Sequence, residues 1–257
     1  MADESGLRID LFDDERPRLL VVSHERLGTH FLMNTLAGAF GYVSNPWIDF
    51  DHHAANINYF HPPSVEGFFT KLAEHRLANT VKSHHQIGFF EDCLANVVGR
   101  FTILYVYRNP IDGMRRCDRF MNRWDWFEGP RTENCKAYIR AEPSGHMMRY
   151  QINQHANMLK RWQAHVEGWL AASEAHRSIV PVRFEDLDRD YEKTVDGLAE
   201  ILGLEVGSHV RPPRQENVVA PSGASDAAAQ ELDNDDLAFF EDQIGATMAR
   251  LGYLIPT

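Results

Sequence analysis

The chain is poor in cysteine: Cys93, Cys117 and Cys135 are its only thiols. An odd number without paired spacing excludes both a disulfide framework and a cysteine-based zinc site. Long apolar runs are also missing, and none approaches the roughly 18–20 residues a membrane helix needs. The first residues, Met1-Ala2-Asp3-Glu4-Ser5, are acidic with no apolar stretch behind them. They do not read as a signal peptide and point to the cytoplasm. Positive charge is scarce too, with 26 Lys and Arg against 37 Asp and Glu and a net charge of -11. That excludes nucleic acid or an acidic membrane surface as the main partner, because both are polyanions. Any anionic ligand must therefore meet locally placed cations. There is no internal repeat and no low-complexity tract.

What is present fits one large α/β domain over residues 1–257, with 1–16 as a candidate tail. Arg18 to Ser23 is a short apolar run that reads as a buried strand. After a polar turn, Leu32, Leu36, Ala39 and Phe40 recur at helical spacing, which predicts a helix over Thr29–Phe40. Further helices are expected at Ser64–His75 and Phe89–Val98, and strands at Asn79–Ser83, Phe101–Tyr107 and Ser178–Arg183. Strands alternating with helices imply a parallel sheet covered on both faces. Two long helices are marked by apolar stripes, one of Leu159, Trp162, Val166, Trp169 and Leu170, the other of Leu237, Phe240, Ile244, Met248 and Leu251. Gly41–Pro63, Trp124–His146 and Val206–Ala229 read as irregular, the places where substrates are normally selected.

The turn from Ser23 to Phe31 closes a strand and opens a helix. Free N–H groups and the helix dipole make such a place a ready phosphate site. Gly28 lets the backbone approach an anion, Thr29 offers a hydroxyl and Arg26 a charge. The P-loop signature G-x-x-x-x-G-K-S/T is not met, since alignment on Gly28 puts Ser23, Thr29 and His30 where Gly, Lys and Ser/Thr belong. A plain strand-helix connection is the equal alternative for this segment alone. Arg108-Asn109-Pro110 follows the clearest strand, with Asn109 as N-cap and Pro110 at the first helical position. Arg115, Arg116 and Arg119 come next, and an Asp112–Arg116 pair on a solvated face is the alternative to ligand contact. In Lys82-Ser83-His84-His85, Lys82 and His84 stand two apart on an extended segment and project to the same side. They bring a cation and a titratable base together, while His85 reads as part of a polar loop.

In this order the three pieces resemble the PAPS-dependent sulfotransferases (PAPS, 3′-phosphoadenosine 5′-phosphosulfate). Trp162–Leu170, Val182–Leu187 and Thr194–Leu204 add to the likeness, which spans about Leu19 to Leu204. The resemblance implies a P-loop-NTPase-like three-layer α/β fold with a central parallel sheet flanked by helices. It implies that residues Arg26, Leu27, Gly28, Thr29 and His30 of the first turn hold the 5′-phosphosulfate end of PAPS. His84 would be the catalytic base with Lys82 beside it, Arg108 would grip the 3′-phosphate, and Phe184 and Phe31 would touch the adenine. The chain departs from the family at Arg116, where a serine is usual, and at His30. It departs again at Val218–Ser225, a donor loop with one glycine and no cation, near Arg211 and Arg214.

The expected reaction is in-line transfer of a sulfuryl group to a hydroxyl or amine of a small acceptor, without a metal. Trp124, Trp126 and Glu128 are the candidate acceptor contacts, able to hold a cationic or planar molecule; a lid packing on itself is the alternative. Asp49, Asp51, His52, His53 and His61 match no metal-site spacing. A homodimer stays open. The rival readings are a small-molecule kinase and a catalytically silent nucleotide-binding protein.

Overall fold

The structure, a computed structural model, describes residues 15–51, 57–75, 79–123, 126–213 and 232–256. Five parallel strands form one sheet in the order β2-β3-β1-β4-β5. They are β1 (Leu19–Ser23), β2 (Val43–Asp49), β3 (Asn79–Ser83), β4 (Thr102–Tyr107) and β5 (Ile179–Arg183). The central strand is buried along its whole length. Its alternate residues serve opposite faces, as the pleat requires. Leu19 and Val21 join one apolar cluster with α1 (Thr29–Phe40), α7 (Phe184–Arg189) and α8 (Tyr191–Leu202). Leu20 and Val22 join the other, with α2 (Pro62–Ala73) and α3 (Leu94–Val98). These two clusters make the three layers. A third cluster gathers α4 (Pro110–Arg123), α5 (Cys135–Arg140), α6 (Met158–Ala175) and α9 (Asn234–Arg250).

The expected helix Thr29–Phe40 and strand Asn79–Ser83 are observed with those ends, and the other expected strands differ by one residue at their starts. Both long helices form. Asn157 caps α6 by accepting from Lys160 N–H, and a reciprocal Asp233–Asp236 box caps α9. The α6 stripe buries Trp162 and Trp169 completely, and truncating either would cost about 3–5 kcal/mol.

Three expectations need correcting, the first being Trp124–His146, which is not wholly irregular because it contains α5. Gly41–Pro63 is not wholly irregular, because it contains β2 and the start of α2. Pro46 breaks the sequence pattern of that strand. The sheet accommodates it because β2 is an edge, and its register against β3 shifts between Val43 and Ile48. Phe89–Val98 is not one helix but a 3-10 turn at Ile87–Phe89 followed by α3. Phe89, Phe90 and Cys93 are all buried there, so packing overrides the helical spacing. Among the described residues no helix is long and apolar enough to cross a membrane.

Candidate active site

The C-terminal ends of β1, β3 and β4 lie side by side at the middle of the sheet. That is where open parallel sheets bind ligands. The segment after β1 turns through left-handed backbone at Arg26 (φ 62) and Gly28 (φ 115). Such a conformation is uncommon for arginine and costs on the order of 1–3 kcal/mol, the kind of strain found at functional turns. Gly28 is required on two counts, since a Cβ there would also lie 2.3 Å from Phe184 Cδ2. Helix α1 has no side-chain cap at Gly28 and no acidic residue in its first turn. Its opening amides and positive dipole end therefore face the turn uncompensated. A Ser23–Thr29 hydroxyl pair 2.5 Å apart ties the two ends of the turn. Leu27 is fully buried, and it packs so close to Gly113 that a Cβ there would lie 2.7 Å from its Cδ2.

The segment after β3 carries His84. Its Nδ1 lies 2.8 Å from the carbonyl oxygen of Ser23, so Nδ1–H donates and Nε2 keeps its lone pair. Burial, with the Lys82 ammonium nearby, pushes the His84 pKa down to about 3 against the pull of Asp51 and Glu25. The ring is neutral at neutral pH. Lys82 is not a free cation: its Nζ is 3.4 Å from Asp49 and 3.8 Å from Asp51. His85 is no polar-loop residue. It is wholly buried, its Nδ1 2.9 Å from Asp51 Oδ1. Its ring packs against Phe50, Tyr59, Phe89 and Tyr150.

The segment after β4 carries Arg108, which is buried with its guanidinium 4.0 Å over the Phe184 ring. Its Nε has no hydrogen-bond partner among the described residues. Asn109 caps α4 by accepting from Ile111 N–H at 2.9 Å. Asp112 faces Arg108 at 3.4 Å, so the alternative pairing of Asp112 with Arg116 is not what forms. Arg116 is exposed. Its charge adds to burial in lowering the pKa of both Arg26 and Arg108, so three guanidiniums share one region. Arg26 stacks 4.0 Å over Phe120. His30 packs edge-on to Trp47. Burial, then Lys82 and Arg26, hold its pKa down to about 4.

Phe31 and Phe184, expected at the adenine, are each 5% exposed and belong to the core. Phe184 spends its surface on Gly28, Arg108 and Phe31. On the acceptor side Trp124 lies outside the described residues, as do Val218–Ser225 and Arg214. Trp126 is 66% exposed. Glu128 is 2.8 Å from Arg149, which stacks over Tyr150, and Tyr150 meets the His84 ring edge-on. Arg211 is engaged with Asp188. Among the described residues no group of His, Cys, Asp and Glu is placed to hold a metal ion. Sequence reasoning passed over Glu25, Arg161 and His165, all buried, and weighed Asp51, whose side chain is 3% exposed, only as a metal ligand. The one available signal was a charged residue inside an apolar stripe, Arg161 between Leu159 and Trp162.

The fold and these three segments define a parallel α/β domain with an uncapped helix start after its central strand and a neutral histidine hydrogen-bonded to that turn. The chain belongs to the sulfotransferase domain family, whose model matches residues 16–219. No curated protein sequence matches it. Among solved structures it is similar to the mouse sulfotransferase SULT7A1 complexed with PAP, at 18% identity and a TM-score of 0.47, covering 77% of this chain and 62% of that one. It thus spans less than two thirds of that protein's length. The sulfotransferase domain from the curacin biosynthetic pathway is 12% identical over 95% of this chain and 100% of that one, with a TM-score of 0.47. A sulfotransferase from Alicyclobacillus acidocaldarius is 14% identical over 93% and 97%, with a TM-score of 0.44.

Proposed function

We propose that the chain transfers a sulfuryl group from PAPS to a hydroxyl or amine of a small acceptor. The observation that carries this reading is the His84–Ser23 hydrogen bond, which joins a neutral base to the anion turn. The residues present fit the donor. The uncapped start of α1 at left-handed Gly28 suits the 5′-phosphosulfate, where Arg26 and Thr29 also stand. The buried Arg108, with an unpartnered Nε and Arg116 nearby, suits the 3′-phosphate.

The donor supplies the sulfuryl group and a phosphate leaving group. His84 Nε2 takes the proton from the acceptor hydroxyl or amine as that atom attacks sulfur, and the bond to the 5′-phosphate oxygen breaks with its electrons leaving on phosphate. Arg26 stabilises the charge gathering on the sulfuryl oxygens. Lys82 joins it on letting go of Asp49. An imidazole with its pKa near 3 is a weak base, but a bound polyanion raises it toward working pH. The acceptor lies toward Tyr150 and Trp126. Glu128 already meets Arg149, so a planar aromatic acceptor on Trp126 fits with less rearrangement than a cation on Glu128.

Calorimetric titration with PAP and with ATP, on wild type and Arg108→Ala, tests this. We expect PAP to bind more tightly than ATP, and Arg108→Ala to weaken PAP by about tenfold to hundredfold. Absence of PAP binding by the wild type would sink the proposal.

A further inference from the structure

Helix α6 carries a polar row inside its apolar face. Arg161, His165 and Trp169 stand at i, i+4 and i+8, hence on one side, and all are buried. Each reaches a different point beneath the site. Arg161 forks onto Glu25, Nη2 to Oε1 at 2.6 Å and Nη1 to Oε2 at 2.9 Å. Nη1 also meets His24 Nε2 at 2.7 Å, and Nε donates to Gln151 at 2.7 Å. His165 Nε2 is 3.2 Å from the carbonyl oxygen of His84, and its Nδ1 is 3.0 Å from Tyr105 Oη. With Nε2–H donating to that carbonyl, Nδ1 accepts from the tyrosine, and the ring is neutral. Trp169 donates to the carbonyl of His85 at 3.0 Å.

A buried ion pair adds little net stability over apolar residues of the same volume. What the Arg161 fork fixes is direction. It holds His24 and Glu25, the two residues between Ser23, which accepts from His84, and the strained Arg26. His165 separately holds the backbone of the base. We propose that Arg161 and His165 are positioning residues with separable duties: Arg161 sets the anion turn for the donor, and His165 sets His84 for proton transfer. The proposal rests on the sulfotransferase reading for its kinetic consequences and on geometry for its structural ones.

Three variants test it: Arg161→Lys, which keeps the charge and loses the fork, His165→Leu, and His165→Gln, whose amide can replace Nε2–H. For Arg161→Lys we expect the Kd of PAP to rise at least about tenfold, with a smaller fall in kcat at saturating donor. For His165→Leu we expect the reverse, a kcat reduced about tenfold with the Kd of PAP within about twofold, and recovery in His165→Gln. Amide hydrogen exchange should quicken at residues 24–29 in the first and at 83–86 in the second, with the rest of the sheet unchanged. Equal changes in Kd and kcat in both variants, or faster exchange throughout the sheet, would overturn the proposal and leave a structural role only. If wild type binds no PAP, the functional reading fails by itself, and the exchange pattern alone decides for or against the clamp.

Discussion

On the donor side of the cleft, at the ends of β1 and β4, Arg26 and Arg108 rest their guanidiniums on phenylalanine rings. Arg116 stands in solvent beside them, and the described residues include one ion pair among the three, the 3.4 Å contact of Arg108 with Asp112. On the base side, around the ends of β2 and β3, each cation has a carboxylate: Lys82 meets Asp49 and Asp51, the latter also in contact with His85, and Arg149 meets Glu128. Three like charges gathered with one close carboxylate are an arrangement that an anion would complete. Matched charges around His84 keep its surroundings close to neutral, so burial decides its protonation. On the proposed reading, one half of the cleft receives charge and the other moves a proton.

If that division holds, the largest effect falls on His84. Replacing it by alanine should lower kcat by about two to four orders of magnitude. PAP should still bind within a few-fold of wild type, because the donor-side arginines are untouched. Single-turnover rates with saturating PAPS, set beside PAP titrations, measure both. Loss of PAP binding in this variant would break the comparison by making His84 a donor ligand.

Gly28→Ala strikes within the donor side, where the turn after β1 packs against the ring that carries Arg108. The new methyl meets Phe184, on which Arg108 stacks, and the backbone stays left-handed. We expect about 1–3 kcal/mol of lost stability together with weaker PAP binding, read by denaturant unfolding and calorimetry. A variant as stable as wild type would show that Phe184 is free to move and Arg108 with it.

Acidification sharpens the contrast through the buried histidines. The ordinary value is 6.5, and the fold holds His24 and His30 down to about 4 and His84 to about 3, burial being the main cause in each. Between these limits the unfolded chain binds protons that the native one does not, so stability falls as pH drops from 6.5 toward 3. Asp51, held down to about 2 by His85 and Lys82 despite its burial, adds a loss of the same sign below its ordinary 3.8. Melting temperature against pH should be level above 7 and slope downward below 6. Bound PAP should shorten the His84 part of that slope by ending it at a higher pH, since a polyanion favours the imidazolium. A melting temperature flat from pH 7 to 4 would contradict the buried, neutral state of these rings.

The sequence disclosed what depends on local pattern. Apolar runs, helical spacing and caps such as Asn109 located four of the five strands and the long helices. The order of the turn, Lys82–His84 and Arg108 picked out the segments that the sheet brings together at the ends of β1, β3 and β4. It concealed what depends on distant pairing. Pro46 disguised β2 because tolerance of a proline depends on where a strand sits in the sheet. His85 read as polar loop because Asp51 and its aromatic neighbours come from other segments. Glu25 and Arg161 are 136 positions apart, and neither alone reveals that it is buried and paired. Phe31 and Phe184 are the converse case, since the sequence could not show that both would be packed into the core.

The smallest expected effect lies at the rim. Trp126 is 66% exposed, so its replacement by alanine removes little buried area and should leave the melting temperature unchanged. If an aromatic acceptor rests on that ring, its KM should rise a few-fold while kcat and PAP affinity stay at wild-type levels, because stacking at an exposed site is worth about 0.5–1.5 kcal/mol. Glu128→Gln separates the alternatives further. It loosens Arg149, which stacks on Tyr150 beside His84, so its effect should fall on kcat rather than on acceptor KM. Should Glu128→Gln raise KM for cationic acceptors alone while Trp126→Ala changes nothing, the acceptor is held by charge. The base side would then owe its matched charges to an ion pair that the substrate exchanges, not to neutrality around the histidine.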